Sequence, residues 1–221
     1  PANGTDAKIS YNFETTPSSF HLKEKDGKVD FKEMNLIQNV VEGQVLAKKT
    51  PAEEGEDGRT VTGRVLPAKP GKDVDIGVGK NVKLSDDGLV LFAACNGQVL
   101  LSVGKVNVEP VYVVQGDVNM KIGNITHLGT VVVKGNVEDG FKIKASGNIE
   151  VFGTVGKSEL DAEGEVIVHQ GITGKSEGKI LAGKTVWSKF IENAIVEVGD
   201  NVIATDGIIN SKVDANKRIV C

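Results

Sequence analysis

Along the second half of the chain, aliphatic residues recur at every sixth position: Ile125, Val131, Val137, Ile143, Ile149 and Val155. Two residues ahead of them stand Gly123, Gly129, Gly135, Phe141, Gly147 and Gly153, so the unit is Gly-x-[Ile/Val]-x-x-x, interrupted once by Phe141. A six-residue period fits neither the 3.6-residue turn of an α-helix nor the strict alternation of a hairpin meander. It predicts a parallel β-solenoid in which three short strands complete each coil. One inward side chain per face then stacks on its counterpart a coil away, at about 4.8 Å. β-branched side chains suit such stacking, and glycine is expected to permit the bend at each corner. Asn136 and Asn148 follow two of these glycines, where their amides are expected to ladder between coils.

With slips of one or two residues the register continues through Leu160, Val166, Ile172, Ile180, Val186, Ile191, Val196, Val202, Ile208, Val213 and Ile219. Backwards it takes in Val118, Tyr112 and Val106. This amounts to roughly six coils and a rod about 30 Å long. The period leaves handedness open, although glycine two places before the aliphatic disfavours the left-handed hexapeptide class.

The first half is patterned differently. Residues 31–41 read as a short helix or an extended stretch, and 44–47 as a strand. Pro51, Gly55, Gly58, Gly63, Pro67, Pro70 and Gly71 then punctuate short apolar pairs, each supplying a turn. In "NVKLSDDGLVLFAACNGQVLLSVGKVNV" both "DDG" and "NG" are hairpin signals. Leu89, Leu91 and Ala93 are expected on one face, with Val99 and Leu101 on the facing one. The organisation expected is an unstructured or artificially added end at 1–7, a small β-rich domain at 8–105 and a β-helix at 106–221. The break at "KRIVC" in mid-pattern reads as truncation of a longer protein.

Composition sharpens this picture. Glycine, at 27 of 221 residues, is well above its usual share of about 7% and, with few aromatics, favours short strands over helical bundles. A net charge of −4 gives no general attraction to nucleic acid or anionic membrane. No apolar run approaches the ~20 residues of a membrane-spanning helix, and no signal-peptide pattern opens the chain. Cys95 and Cys221 make no disulfide framework, which suits a cytoplasmic location.

Candidate chemistry is sparse. "GTVGKS" at 153–158 and "GITGKS" at 171–176 resemble phosphate loops, but the first glycine of that motif is replaced by Val151 and His169, and no helix follows. Corner glycines with solvated lysines are the expectation. His21, His127 and His169 have no neighbours at metal-ligand spacing, so no metal and no cofactor are expected. "NIT" at 124–126 matches a glycosylation sequon, idle in a cytoplasmic protein. The segment "VWSKFIENAIVEV" at 186–198 is the least repeat-like and holds the single tryptophan. Trp187, Lys189, Phe190, Glu192 and Asn193 are therefore the candidate partner surface, since Trp and Phe are enriched at contact centres.

The strings "VVQGDVNMKIGNITHLGTVVVKGNVEDGFKIKASGNIEVFGTV", "GITG" and "KFIENA", with "GEDGRTVTGRVLP", "GKNVKLSDDG" and "NGQVLLSVGKVNV" upstream, resemble the bacterial flagellar assembly protein A family. The resemblance runs from about Val29 onward. It implies a right-handed β-helix behind a small N-terminal domain, a cytoplasmic location, a connection with flagellar assembly or placement, and no established enzymatic activity. It also implies a further helical region beyond the β-helix. The expected function is a non-catalytic scaffold presenting a rigid β-helix surface to cytoplasmic proteins. Two alternatives stand beside it. One is a solenoid enzyme, an acyltransferase or polysaccharide-active β-helix that would bring His127 or His169 together with carboxylates. The other is a cytoskeletal polymer that self-associates through the β-helix ends.

Overall fold

The computed structural model describes residues 1–15, 23–25, 28–30 and 37–221. His21 and residues 31–36 lie outside the described residues, so the expectation for 31–41 meets the structure only at its end, where Asn39–Val40 is a short strand. The chain forms two compact units, one of residues 1–17 and 40–109, the other of 18–39 and 110–221.

The first unit is built on two larger antiparallel sheets, with a small two-stranded ribbon of Gly58–Arg59 and Val65–Leu66 beside them. Lys8–Tyr11, Val45–Thr50, Val90–Ala93 and Val82–Leu84 are neighbours in that order in one. Gly97–Ser102 and Lys105–Glu109 pair in the other. Leu46, Leu91, Ala93, Val99, Val106 and Val108 form the core between them. The "DDG" signal makes its hairpin: Val82–Leu84 pairs with Val90–Ala93 across a turn in which Gly88 takes φ 70°. The "NG" at 96–97 does not. It links the two sheets, and the hairpin closes later, at Val103 and Gly104, with φ 49° and 70°. Val106 pairs antiparallel with Leu101, so it is a strand residue of this unit and not a solenoid rung. Residues 1–7 make backbone contacts with later segments of the same unit. Ala2 bridges Glu56, the Gly4 N–H donates to the Lys69 carbonyl and the Ala7 N–H to that of Lys72, each at 2.9 Å.

The second unit is a β-solenoid of about six turns over residues 111–220, and its rungs fall on the six-residue register. Three inward columns run its length. The first stacks Tyr112, Val131, Ile149, Val166, Val186, Val202 and Ile219. The second stacks Val118, Val137, Val155, Ile172, Ile191 and Ile208. The third stacks Ile125, Ile143, Leu160, Ile180, Val196 and Val213. In each strand the next inward position, two residues on, tends to be smaller. On the third face it runs His127, Ala145, Ala162, Ala182, Val198, Ala215. Alternating large and small side chains fill the triangular interior, and most of its aliphatics are almost wholly buried.

The corners differ from expectation in one respect. Gly123 needs glycine for its positive φ of 73°, whereas Gly129, Gly135, Gly147 and Gly153 do not adopt positive φ. They are glycine because the coil below is too close. A Cβ on Gly147 would sit 2.9 Å from the carbonyl carbon of Gly129, and one on Gly153 2.6 Å from the Gly135 oxygen. The N–H groups of Gly147 and Gly153 donate to the carbonyls of Gly129 and Gly135 at 2.9 and 3.0 Å. Close backbone approach, not bending, selects glycine there.

The asparagines beside them cap the next coil. Asn136 Oδ1 accepts from the Thr154 N–H at 2.8 Å, and Asn148 Oδ1 from the Glu165 N–H at 2.9 Å. Asn124 and Asp139 do the same for the N–H groups of Lys142 and Lys157, at 2.9 and 2.8 Å. At the base, Asn39 donates to the Thr126 carbonyl at 2.8 Å and accepts from the Leu128 N–H at 2.9 Å, standing in for a strand neighbour.

Candidate functional site

Because side chains alternate along each strand, the residue after every inward aliphatic faces outward, and the three faces present different surfaces. On the third face the outward columns are charged. Lys142 pairs with Glu159 at 2.6 Å, Lys144 with Asp161 at 2.9 Å and Lys179 with Glu197 at 3.7 Å. The bond to Asp161 holds the Lys144 ammonium above its ordinary pKa. Such exposed pairs contribute little stability each but give a solvated, internally matched surface.

The first face is apolar instead. Its middle outward column runs Val113, Val132, Glu150, Ile167, Trp187, Ile203 and Val220. Val113 is 41% and Val220 51% exposed, so aliphatic surface lies open at both ends of the column. Beside it the Lys134 ammonium sits 3.8 Å over the Phe152 ring. Phe152 stacks on His169 with centroids 4.5 Å apart and an angle of 17°, and His169 meets Trp187 at 6.1 Å and 62°. His169 Nε2–H donates to Glu150 Oε1 at 2.8 Å. Between the fourth and fifth coils lies a hollow of ≈ 400 Å³ lined by Glu165, Ile167, His169, Thr185 and Trp187.

The five residues of the expected partner surface do not share one face. Trp187 belongs to the apolar column. Lys189 is exposed one outward position further along the same strand. Phe190 lies at the corner, its ring over Gly171 of the preceding coil, where a Cβ would collide with it. Glu192 is on the second face and accepts from Asn193 Nδ2 at 3.2 Å. Asn193, at φ 51°, turns the next corner above which Asn210 repeats the conformation at φ 46°. Trp187 instead gathers Ile167, His169 and Phe152 from earlier coils, residues that sequence proximity does not reveal.

The phosphate-loop look-alikes are the same corner in two successive coils. Val155 and Ile172 are directly paired rungs. Lys157 is ion-paired to Glu177 at 2.6 Å and Lys175 to Asp139 at 2.5 Å. The first run leads into the strand Glu159–Ala162 and the second lies within Val166–Ala182.

His127 is buried inside the first coil, its ring 5.9 Å from that of Tyr112. Its Nε2–H donates to the Pro110 carbonyl at 3.2 Å, while Nδ1 has no partner among the described residues. Burial lowers its pKa below the ordinary 6.5, with the Pro110 bond a smaller opposing effect. The unfolded chain therefore takes up this proton at a higher pH than the folded one. The stability tied to neutral His127 is fully present above about pH 6.5 and is lost as pH falls toward the lowered folded value. Denaturation midpoints measured from pH 7.5 downward are expected to decline more gently in His127→Leu than in the parent chain below that point.

Among the described residues, no group of three or more His, Cys, Asp or Glu is placed to hold a metal ion. Among them, too, no helix is long and apolar enough to cross a membrane. Neither the curated proteins nor the solved structures provide a match to the chain. Two family models do. Residues 110–221 match the Flagellar Assembly Protein A beta solenoid domain, and residues 1–104 match the Flagellar Assembly Protein A N-terminal region. The break between the two matches falls beside the 109/110 division of the units, although residues 18–39, inside the first match, group with the second unit, and together the matches make the chain a member of the flagellar assembly protein A family.

Proposed function

We propose that this chain is a non-catalytic cytoplasmic scaffold connected with flagellar assembly or placement, and that it docks protein partners on the first face of its solenoid. The observation that carries this reading is the contrast between faces. The third face is charged and carries ion pairs of its own, Lys142 with Glu159 and Lys144 with Asp161, whereas the first presents Val113, Val132, Ile167, Trp187 and Ile203 in one outward column. Aliphatic and aromatic side chains on a rigid sheet lose little conformational entropy when covered, which favours them as contact centres. Parallel coils support the role, because each fixes its neighbours and the surface keeps its shape under load.

A complementation experiment in flagellated cells lacking their own copy tests it. Val132→Asp with Ile203→Asp is expected to lower the number of flagella severalfold at unchanged protein level. Lys144→Ala with Lys179→Ala, on the charged face, is expected to leave it normal. Equal outcomes for the two pairs would overturn the assignment of the face.

A solenoid enzyme has one contact in its favour, the 2.8 Å bond between His169 and Glu150. That imidazole, however, is stacked on Phe152 and edged by Trp187, and Glu150 is its one carboxylate partner among the described residues. The pair reads as an ordering contact within the apolar face.

A further inference from the structure

We infer that the hollow between Ile167 and Trp187 receives an arginine side chain of a partner protein; this rests on reading the first face as the docking face. Its lining residues are Glu165, Ile167 and His169 on one coil and Thr185 and Trp187 on the next; Glu165 and Thr185 immediately precede the strands that carry the paired Ile167 and Trp187, and His169 lies where the register shifts. Ile167 and Trp187 are direct neighbours in register and give the hollow an apolar floor and an indole wall. The His169 ring, at 62° to the indole, forms the side.

Glu165 supplies the charge at one end. Its carboxylate has no hydrogen-bond or ion-pair partner among the described residues, whereas the neighbouring Glu150 is engaged by His169. An apolar slot with an aromatic wall and an unpaired carboxylate matches a side chain with a hydrocarbon stem and a cationic head. A neutral occupant would cover Glu165 without replacing its water, which is unfavourable.

Arginine fits better than lysine. The guanidinium is flat, weakly hydrated and able to stack on indole while donating two parallel bonds to a carboxylate. The face already uses this chemistry one step away, where the Lys134 ammonium lies 3.8 Å over Phe152. Among the described residues no cation lies over Trp187, so the stronger aromatic site of the two is the open one.

Trp187 is the single tryptophan of the chain, so its fluorescence reports this hollow directly. The complete 221-residue chain would be titrated with glycine pentapeptides carrying a central arginine, lysine or citrulline. The arginine peptide is expected to give a saturable change with a midpoint in the millimolar range, on the order of 1 mM. The lysine peptide should bind at least about fivefold more weakly, and the uncharged citrulline peptide should give no saturable change. Glu165→Gln, close to isosteric, should raise the arginine midpoint at least about fivefold and leave the spectrum of the free chain unaltered.

Citrulline binding as tightly as arginine, indifference to Glu165→Gln, or no saturable change up to about 50 mM peptide would each overturn the inference. Val132 and Ile203 do not line the hollow. If their substitution lowers flagellar number while the arginine peptide fails to bind, the arginine inference falls and the docking face stands.

Discussion

Gly153→Val is expected to destabilise the solenoid by roughly 3 kcal/mol or more, read as a lowered midpoint in chemical denaturation. The glycine sits directly above Gly135, whose carbonyl oxygen would lie 2.6 Å from a new Cβ and whose carbonyl carbon would lie 2.8 Å away. The obstruction is backbone, so it cannot be relieved by rotating a side chain. The two coils would have to separate at that corner, weakening the 3.0 Å bond from the Gly153 N–H to the Gly135 carbonyl. Asn136 Oδ1 also closes on the same position, and it holds the Thr154 N–H. Gly116→Ala, at the start of the same column, is the matched control. Nothing lies within 4 Å of a Cβ there and its φ is not positive, so the change should stay within about 1 kcal/mol of neutral. Equal losses for the two substitutions would show that glycine is required for chain freedom and not for close approach.

Ile149→Ala is expected to cost about 2–5 kcal/mol. Its side chain is fully buried between Val131 on one coil and Val166 on the next, and both are rungs that cannot collapse into the space without pulling their strands together. Ile219→Ala, in the same column at the last strand, should cost less than about 1 kcal/mol because that residue is 49% exposed. Since a coil touches only its neighbours, amide exchange should accelerate most in the strands paired with Ile149–Val151 and least at the last coil. A uniform acceleration along the rod would contradict this account.

Much of the solenoid was legible because its physical requirement is so plain. Each face of each coil needs one inward aliphatic, and the register that begins at Ile125 meets all three columns, including the slipped positions Leu160, Ile180 and Val213. The slips correspond to coils of unequal length, with register shifts at Val168/Gly171 and Thr173/Gly178. A period of six alone does not reveal the chemistry of the outer faces. Grouping three sixes into one coil separates Val132, Ile167, Trp187 and Ile203 from Lys144, Asp161 and Glu197, which are otherwise interleaved along the chain. The aromatic cluster at Trp187 is therefore readable only at the length of a whole coil. In the other unit, local turn signals misled. Asn96–Gly97 has the residues of a tight hairpin but connects two sheets, while the actual hairpin turns at Val103, a β-branched residue disfavoured at positive φ.

The charged third face has a bearing on how the rod assembles. Its inward columns are nearly interchangeable aliphatics, so a growing solenoid could seat a strand one coil too early with little loss of core contact. The outward columns are not interchangeable. They run Lys142, Glu159, Lys179 in one position and Lys144, Asp161, Leu181, Glu197 in the next. Omitting the coil that carries Glu159 and Asp161 would set Lys142 beside Lys179 and leave Lys144 against Leu181. Like charges in adjacent strands repel by roughly as much as the correct pairs attract, and the penalty is paid at the moment of mispairing. Weak as each pair is in the finished structure, the change of sign between the coils of Lys142, Glu159 and Lys179 disfavours skipping a coil there, whereas further along Glu197 and Asp214 are like-charged neighbours and give no such discrimination.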